Sequence, residues 1–168
     1  MKNFPVNVDG KQYWISRSIA VVGIVLKFCH NQWYVLANKR GKGCPDFQGY
    51  WNCTCGYLEY DRTCVQQIVA EYVEECGFIT EESRWNFLGY NDSPSENKQN
   101  VTLRFYYFAD NDEDFDLAKR KGGEIDEVED VKWVPVNEVP NYQFAFGHQN
   151  LIHLVITNFT NWKPTWSI

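Results

Sequence analysis

The sequence predicts an α/β/α sandwich, a mixed central sheet with helices on both faces. Three observations point there: β-rich runs on either side of one amphipathic mid-chain helix, a second helical segment that closes the chain, and a composition in which 44% of the residues are hydrophobic. At 168 residues the chain fits a single domain spanning 1–168, with a core large enough to need no disulfide staples.

In order along the chain, "IAVVGIVLKF" (19–28) and "WYVLANKR" (33–40) are β-rich runs split by the turn-like "CHNQ", which predicts a hairpin. The Gly, Pro and Asp density of "GKGCPDFQGYW" (41–51) predicts a loop that delivers the chain to "NCTCG". A helix follows over about 63–76, with Asp61 or Thr63 as N-cap and Gly77 closing it. Strands are predicted at 84–91 and 100–110, the second alternating as a half-buried strand does, with "DSPSENKQ" as the loop between them. Residues 111–130 hold two acidic clusters around a basic "KRKGG" and few large apolar side chains, which reads as a long mobile surface loop. "VKWVPVNEV" (131–139) reads as a strand running into a helical turn. Residues 147–162 read as a terminal helix with Leu151, Leu154, Val155 and Phe159 at helical spacing.

Composition narrows the function classes. A net charge of −6 and a pI near 5.1 leave no basic footprint, which disfavours a sequence-independent grip on duplex nucleic acid; a small anionic substrate would need a metal as a bridge. The longest apolar run, "IAVVGIVL", is far too short to span a bilayer, and "MKNFPVNVDGKQYW" has no apolar stretch after its Lys. A cytoplasmic protein without membrane contact is expected, with its six Cys as reduced thiols. "CTC" at 53–55 has C-x-C spacing and no second Cys or His pair at finger distance, so structural thiols are favoured over zinc.

The informative stretch is the mid-chain helix. Glu71, Glu74 and Glu75 fall within roughly 100° of helical arc beside an apolar stripe of Val65, Ile68, Val69, Tyr72 and Cys76. Like charges three and four residues apart repel by roughly 0.2–0.5 kcal/mol per pair, so either a solvated face or a bound cation must offset the crowding. Gly56, Glu71, Glu74, Glu75, Gly77 and Phe78 together give G-x14-E-x2-E-E-x-G-F. At average residue usage such a match arises by chance on the order of once in ten thousand sequences.

This pattern resembles the signature of the Nudix hydrolases, G-x5-E-x7-R-E-U-x-E-E-x-G-U, where U is a bulky apolar residue. The upstream strand pair, "RGKGCPDFQGYW" and "EVEDVKWVPVNEV" also look like that family. Two positions depart: Arg62 stands where the signature has Glu, and Ala70 where it has Arg. Either Arg62 supplies the missing positive charge to Glu71 or Glu74 from the loop, or the site is weakened. The resemblance implies Mg²⁺, with Mn²⁺ as a substitute, clamped mainly by Glu71 and Glu75, with Glu74 reaching a second ion or its waters and the backbone carbonyl of Cys55 adding a ligand. It implies hydrolysis of a diphosphate linkage in a nucleoside diphosphate joined to a group X. The general base would be a signature Glu or a loop carboxylate, Glu124 or Glu127. Phe47, Trp51, Tyr90 and Phe144 could stack a base, and Arg40 and Arg104 could meet phosphate or ribose oxygens. His148 reads as a cap-region residue rather than a catalyst, and the resemblance leaves room for a homodimer. The competing readings are a non-hydrolysing nucleotide-binding or regulatory module with a decayed signature and, with little support from His30, His148 and His153, an isoprenoid diphosphate isomerase.

Overall fold

The computed structural model describes residues 3–122 and 125–166. The chain opens with a hairpin that the sequence reading left unassigned, β1 (Phe4–Val8) paired antiparallel with β2 (Lys11–Ile15) as a separate two-stranded sheet. Its turn is Asp9–Gly10, both at positive φ (49° and 77°), the geometry that Asp-Gly favours between paired strands; this dipeptide was the available signal.

Among the described residues the central sheet has seven strands: β3 (Ser18–Cys29), β4 (Gln32–Arg40), β5 (Trp51–Asn52), β6 (Cys55–Tyr57), β7 (Asn86–Asn91), β8 (Asn100–Ala109) and β9 (Val128–Pro135). β3 runs parallel to β8 and the other pairings among these strands are antiparallel, so the sheet is mixed, as predicted. β3 is buried from both sides. Val21 and Val25 face a helix, α1 (Cys64–Cys76), through Ile68, Tyr72 and Cys76, whereas Val22, Ile24 and Leu26 face α2 (His148–Phe159) through Ile152, Val155 and Ile156. The period-two alternation of strand side chains thus divides one strand between two cores and produces the sandwich. On α2 the core takes Leu151, Ile152, Val155 and Ile156, while Leu154, expected in the apolar stripe, is on the exposed side.

Thr63, rather than Asp61, caps α1: its hydroxyl accepts from the Gln66 N–H while the Gln66 side chain accepts from the Thr63 N–H. Residues 111–122 are not a loose loop. The Glu113 carboxylate accepts from the Tyr107 hydroxyl at 2.6 Å and pairs with Arg84 at 3.1 Å, Trp133 donates to Asp114, and Asp116 N–H donates to the Gly77 carbonyl. The acidic clusters read as solvated because their partners are distant in sequence. Among the described residues no helix is long and apolar enough to cross a membrane.

Gly77 ends α1 in the left-handed region (φ 63°), and a Cβ there would lie 2.0 Å from the Asp116 carbonyl oxygen. Gly77→Ala should therefore destabilise the fold by at least ~1–2 kcal/mol, the cost of the left-handed conformation alone, measured as a lower urea midpoint at unchanged m-value.

Candidate active site

The site originates in a parting of two strands. β3 pairs with β4 only through 26–29 and 32–35. Beyond that point β4 continues along β9 and takes β5 on its inner edge, while the first half of β3 pairs with β6. The chain from Trp51 to Tyr57 therefore fills the gap between them, and a cleft of about 680 Å³ opens there. Its lining includes Asn38, Arg40, Cys55, Gly56, Glu71, Glu75, Arg104, Glu127 and His148.

The acidic wall comes from α1. A Cβ on Gly56 would stand 1.9 Å from Glu71 Oε1, so the carboxylate rests directly against the glycine backbone, which explains the glycine fifteen residues ahead of it. Gln67, 3% exposed and one turn earlier on the helix, donates to the same oxygen at 2.7 Å. Burial raises the Glu71 pKa; the Gln67 bond and the Arg62 charge oppose this and the Glu74 charge adds to it. One turn on, Glu75 Oε2 accepts from Asn38 Nδ2 at 2.5 Å, and the same Asn38 amide donates to Thr54 Oγ1 at 3.0 Å. Its carboxyl is pushed up to about 8, first by burial and then by the charge of Glu71, against the Thr54 and Asn38 hydrogen bonds and Arg40. Neither Gln67 nor Asn38 was singled out from the sequence. The signal for Gln67 was its position four residues before Glu71; Asn38 had none, because its partner is thirty-seven residues away.

Cys55 is suited to the carbonyl role. Gly23 N–H donates to the Thr54 carbonyl and Leu58 N–H to the Ile19 carbonyl, so Val22 and Cys55 face each other as a non-hydrogen-bonded pair and the Cys55 carbonyl points off the β3 ladder. Its thiol, pushed up to about 12 by burial and then by Glu75, is no anionic ligand. Two carboxylates and a carbonyl form an all-oxygen donor set, which fits Mg²⁺ or Mn²⁺ completed by water and substrate oxygens. Among the described residues no three Asp, Glu, His or Cys side chains converge as a ready-made cage.

The other expected residues divide. Glu127 lines the cleft and adds to the upward shift of Glu71. Its backbone is pinned: its carbonyl accepts from Gly41 N–H at 2.7 Å, and a Cβ on Gly41 would lie 2.1 Å from the Asp126 carbonyl oxygen. Glu124 lies outside the described residues. Glu74 is turned out of the cleft lining toward Arg62, whose Nη1 is 3.9 Å from Glu74 Oε1 and 3.5 Å from Gln67 Oε1. The relocated cation thus faces Glu74 and Gln67 at long range, and the close polar contact to Glu71 belongs to Gln67. Arg40 lines the cleft but is held by Asp46 at 2.7 Å. Arg104 also lines it. Trp51 and Phe144 are core residues joined by a bridge outside the named strands, with the Trp51 ring under Lys132, so both are withdrawn from base stacking. Tyr90 is exposed and outside the lining. Phe47 packs on Phe146 at 4.8 Å, and it is Phe146 that reaches the cleft. His148, set aside on sequence, is in the wall: it is 4% exposed, and its Nδ1 accepts from the Cys53 N–H at 3.1 Å.

The family model described as the NUDIX domain matches residues 17–155. Among solved structures, the NUDIX domain of Shewanella oneidensis NrtR complexed with ADP-ribose is 20% identical, with a TM-score of 0.71 over 87% of this chain and 90% of that one. A bifunctional NMN adenylyltransferase/ADP-ribose pyrophosphatase from Francisella tularensis, complexed with AMP and a Mn ion, is 16% identical with a TM-score of 0.64, over 84% of this chain and 41% of that one. A Caenorhabditis elegans Ap4A hydrolase in a binary complex is 14% identical with a TM-score of 0.56, over 80% and 92%. No curated protein matches the sequence.

The raised Glu75 pKa has a thermodynamic consequence. The folded state holds this proton more tightly than the unfolded chain, so in the metal-free protein the carboxyl's contribution to stability is present below about 4.5 and is lost as pH rises toward about 8. Thermal denaturation in EDTA should show Tm falling across that window, by roughly 2–4 °C for each kcal/mol lost, and Glu75→Gln should flatten the dependence.

Proposed function

The chain belongs to the Nudix family, and on that premise we propose that it is a hydrolase of phosphoric anhydride bonds, dependent on Mg²⁺ or Mn²⁺, acting on a nucleoside diphosphate joined to a group X. The observation that carries this reading is the seating of Glu71 against Gly56, with Glu75 one helical turn on and both lining the cleft. These carboxylates and the Cys55 carbonyl would hold the cation. When bound, it supplies positive charge to the diphosphate oxygens and acidifies an attacking water.

The chain's own groups do the rest. Gln67 and Asn38 fix the two carboxylates through one hydrogen bond each, so their oxygens are oriented before substrate arrives. Glu127, on a backbone pinned to Gly41, accepts the proton of the attacking water at its carboxylate. The water oxygen bonds to one phosphorus, the bridging P–O bond breaks toward the other phosphate, and two phosphorylated products leave. Phe146 at the rim offers an aromatic face for a planar base. The ADP-ribose and AMP bound in the structurally similar proteins support a nucleotide as the substrate.

A second reading, a nucleotide-binding module without hydrolysis, is favoured by one feature: Arg62 and Ala70 depart from the signature, and Arg62 reaches Glu74 only at 3.9 Å. Turnover separates the readings. With Mg²⁺ and a panel of ADP-ribose, dinucleoside polyphosphates, oxidised nucleotides and capped RNA, at least one member should be cleaved, and Glu75→Gln should lower that rate by roughly 10²-fold or more. A panel left intact while a nucleotide binds in calorimetry establishes the module instead. Gly56→Ala should leave the fold in place, because the displaced atoms are the end of a flexible side chain, and should lower the rate by roughly tenfold or more by moving the Glu71 carboxylate.

A further inference from the structure

The wall of the cleft opposite α1 carries a group of polar atoms that no described residue satisfies. Arg104 projects from β8 into the lining; its Nε is buried and has no hydrogen-bond partner, and no carboxylate pairs with its guanidinium among the described residues. A half-buried cation with no ion-pair partner is costly, and the cost shows as a guanidinium pKa lowered by desolvation, against the opposing charge of Glu96, which lines the same cleft without pairing. Beside it stands His148. Because its Nδ1 accepts the Cys53 N–H, the neutral ring must carry its proton on Nε2, a donor with no acceptor among the described residues. The ring is 96% buried (4% exposed), so this donor is fixed in direction.

A third feature comes from the helix that His148 begins. The twelve-residue α2 starts after Gly147 with no side-chain cap and no acidic residue in its first turn, and His148 and Leu151 of that turn both line the cleft. The positive pole of the helix is therefore left uncompensated next to Arg104. Arg40, the other cation of this wall, is already paired with Asp46.

We propose that Arg104, the Nε2–H of His148 and the first turn of α2 form a phosphate-binding subsite, built on β8 and α2 and distinct from the carboxylates of α1. The donor arrangement selects the ligand. A planar carboxylate is satisfied by a guanidinium fork alone, whereas a tetrahedral phosphate offers a further oxygen for a donor from another direction, here the imidazole. The two ends of the cleft are then electrostatically unlike. The acidic end needs a cation to hold phosphate; the Arg104 end holds it directly. The subsite rests on reading this cleft as the one that takes nucleotides, but it does not require that the protein hydrolyse them.

The test exploits that difference by removing the metal. In EDTA, titration calorimetry of the whole chain with inorganic phosphate, AMP and adenosine should show binding of both phosphates and none of adenosine. Tighter binding of AMP than of phosphate identifies a phosphate carried by substrate or product, and equal affinity identifies the free anion; either supports the subsite. Arg104→Gln removes the charge, and His148→Asn keeps an acceptor for the Cys53 N–H while deleting the Nε2 donor. Each should weaken binding by roughly tenfold or more with the circular dichroism spectrum unchanged. Metal-free protein that binds neither phosphate nor AMP, or binding that survives both substitutions, overturns the proposal, whether or not the protein turns out to hydrolyse a nucleotide in Mg²⁺.

Discussion

The parting of β3 from β4 after four paired residues is the constraint on which the site depends. Strands that stayed in register to their ends would bring Asn38 and Arg40 against the first half of β3 and close the cleft. Instead the segment from Trp51 to Tyr57 is inserted between them, pairing first with β4 and then with β3. That insertion places Gly56 under α1, turns the Cys55 carbonyl off the ladder, and sets Cys53 N–H where His148 can accept from it. The acidic wall and the His148 side of the cleft are thus referred to one short stretch of backbone.

The same geometry explains how crowded carboxylates are tolerated. Burial and mutual repulsion both push Glu71 and Glu75 toward the protonated form. The fold returns part of that cost through Gln67, Asn38 and Thr54, polar groups that are themselves almost wholly buried. The remainder is stored as a raised affinity for protons, or for a cation that replaces them. The Arg62 pair contributes little to this balance, since both partners are about a third exposed and stand 3.9 Å apart. The positive charge missing at Ala70 is therefore compensated chiefly by neutral hydrogen-bond donors.

Across the cleft the imbalance is reversed. Arg104 and His148 present donors without acceptors, just as α1 presents acceptors short of positive charge. A ligand that carries phosphate at one end and recruits a cation at the other would satisfy both walls at once.

The sequence by itself determined the parts of this protein that rest on local chemistry. The apolar stripe of α1, its N-terminal cap, its Gly77 stop and the alternation along β3 and β8 are properties of adjacent residues, so both α-helices and five of the nine strands of the described residues, and the family resemblance, were legible. Glu71, Glu75 and Gly56 were legible for the same reason, being written at fixed offsets. Tertiary structure decided what depends on partners far along the chain. It joined Asn38 to Glu75 and Arg84 to Glu113, withdrew Trp51 and Phe144 into the core, turned Glu74 away from the cleft, and brought His148 into it. A stacking aromatic and a packed one have the same letter, as do a capping histidine and a cleft donor. Only the crossing of strands and helices fixes which atoms face the same space, and that is why the acidic wall could be read in advance, whereas of the wall opposite only Arg104 was named and His148 was set aside.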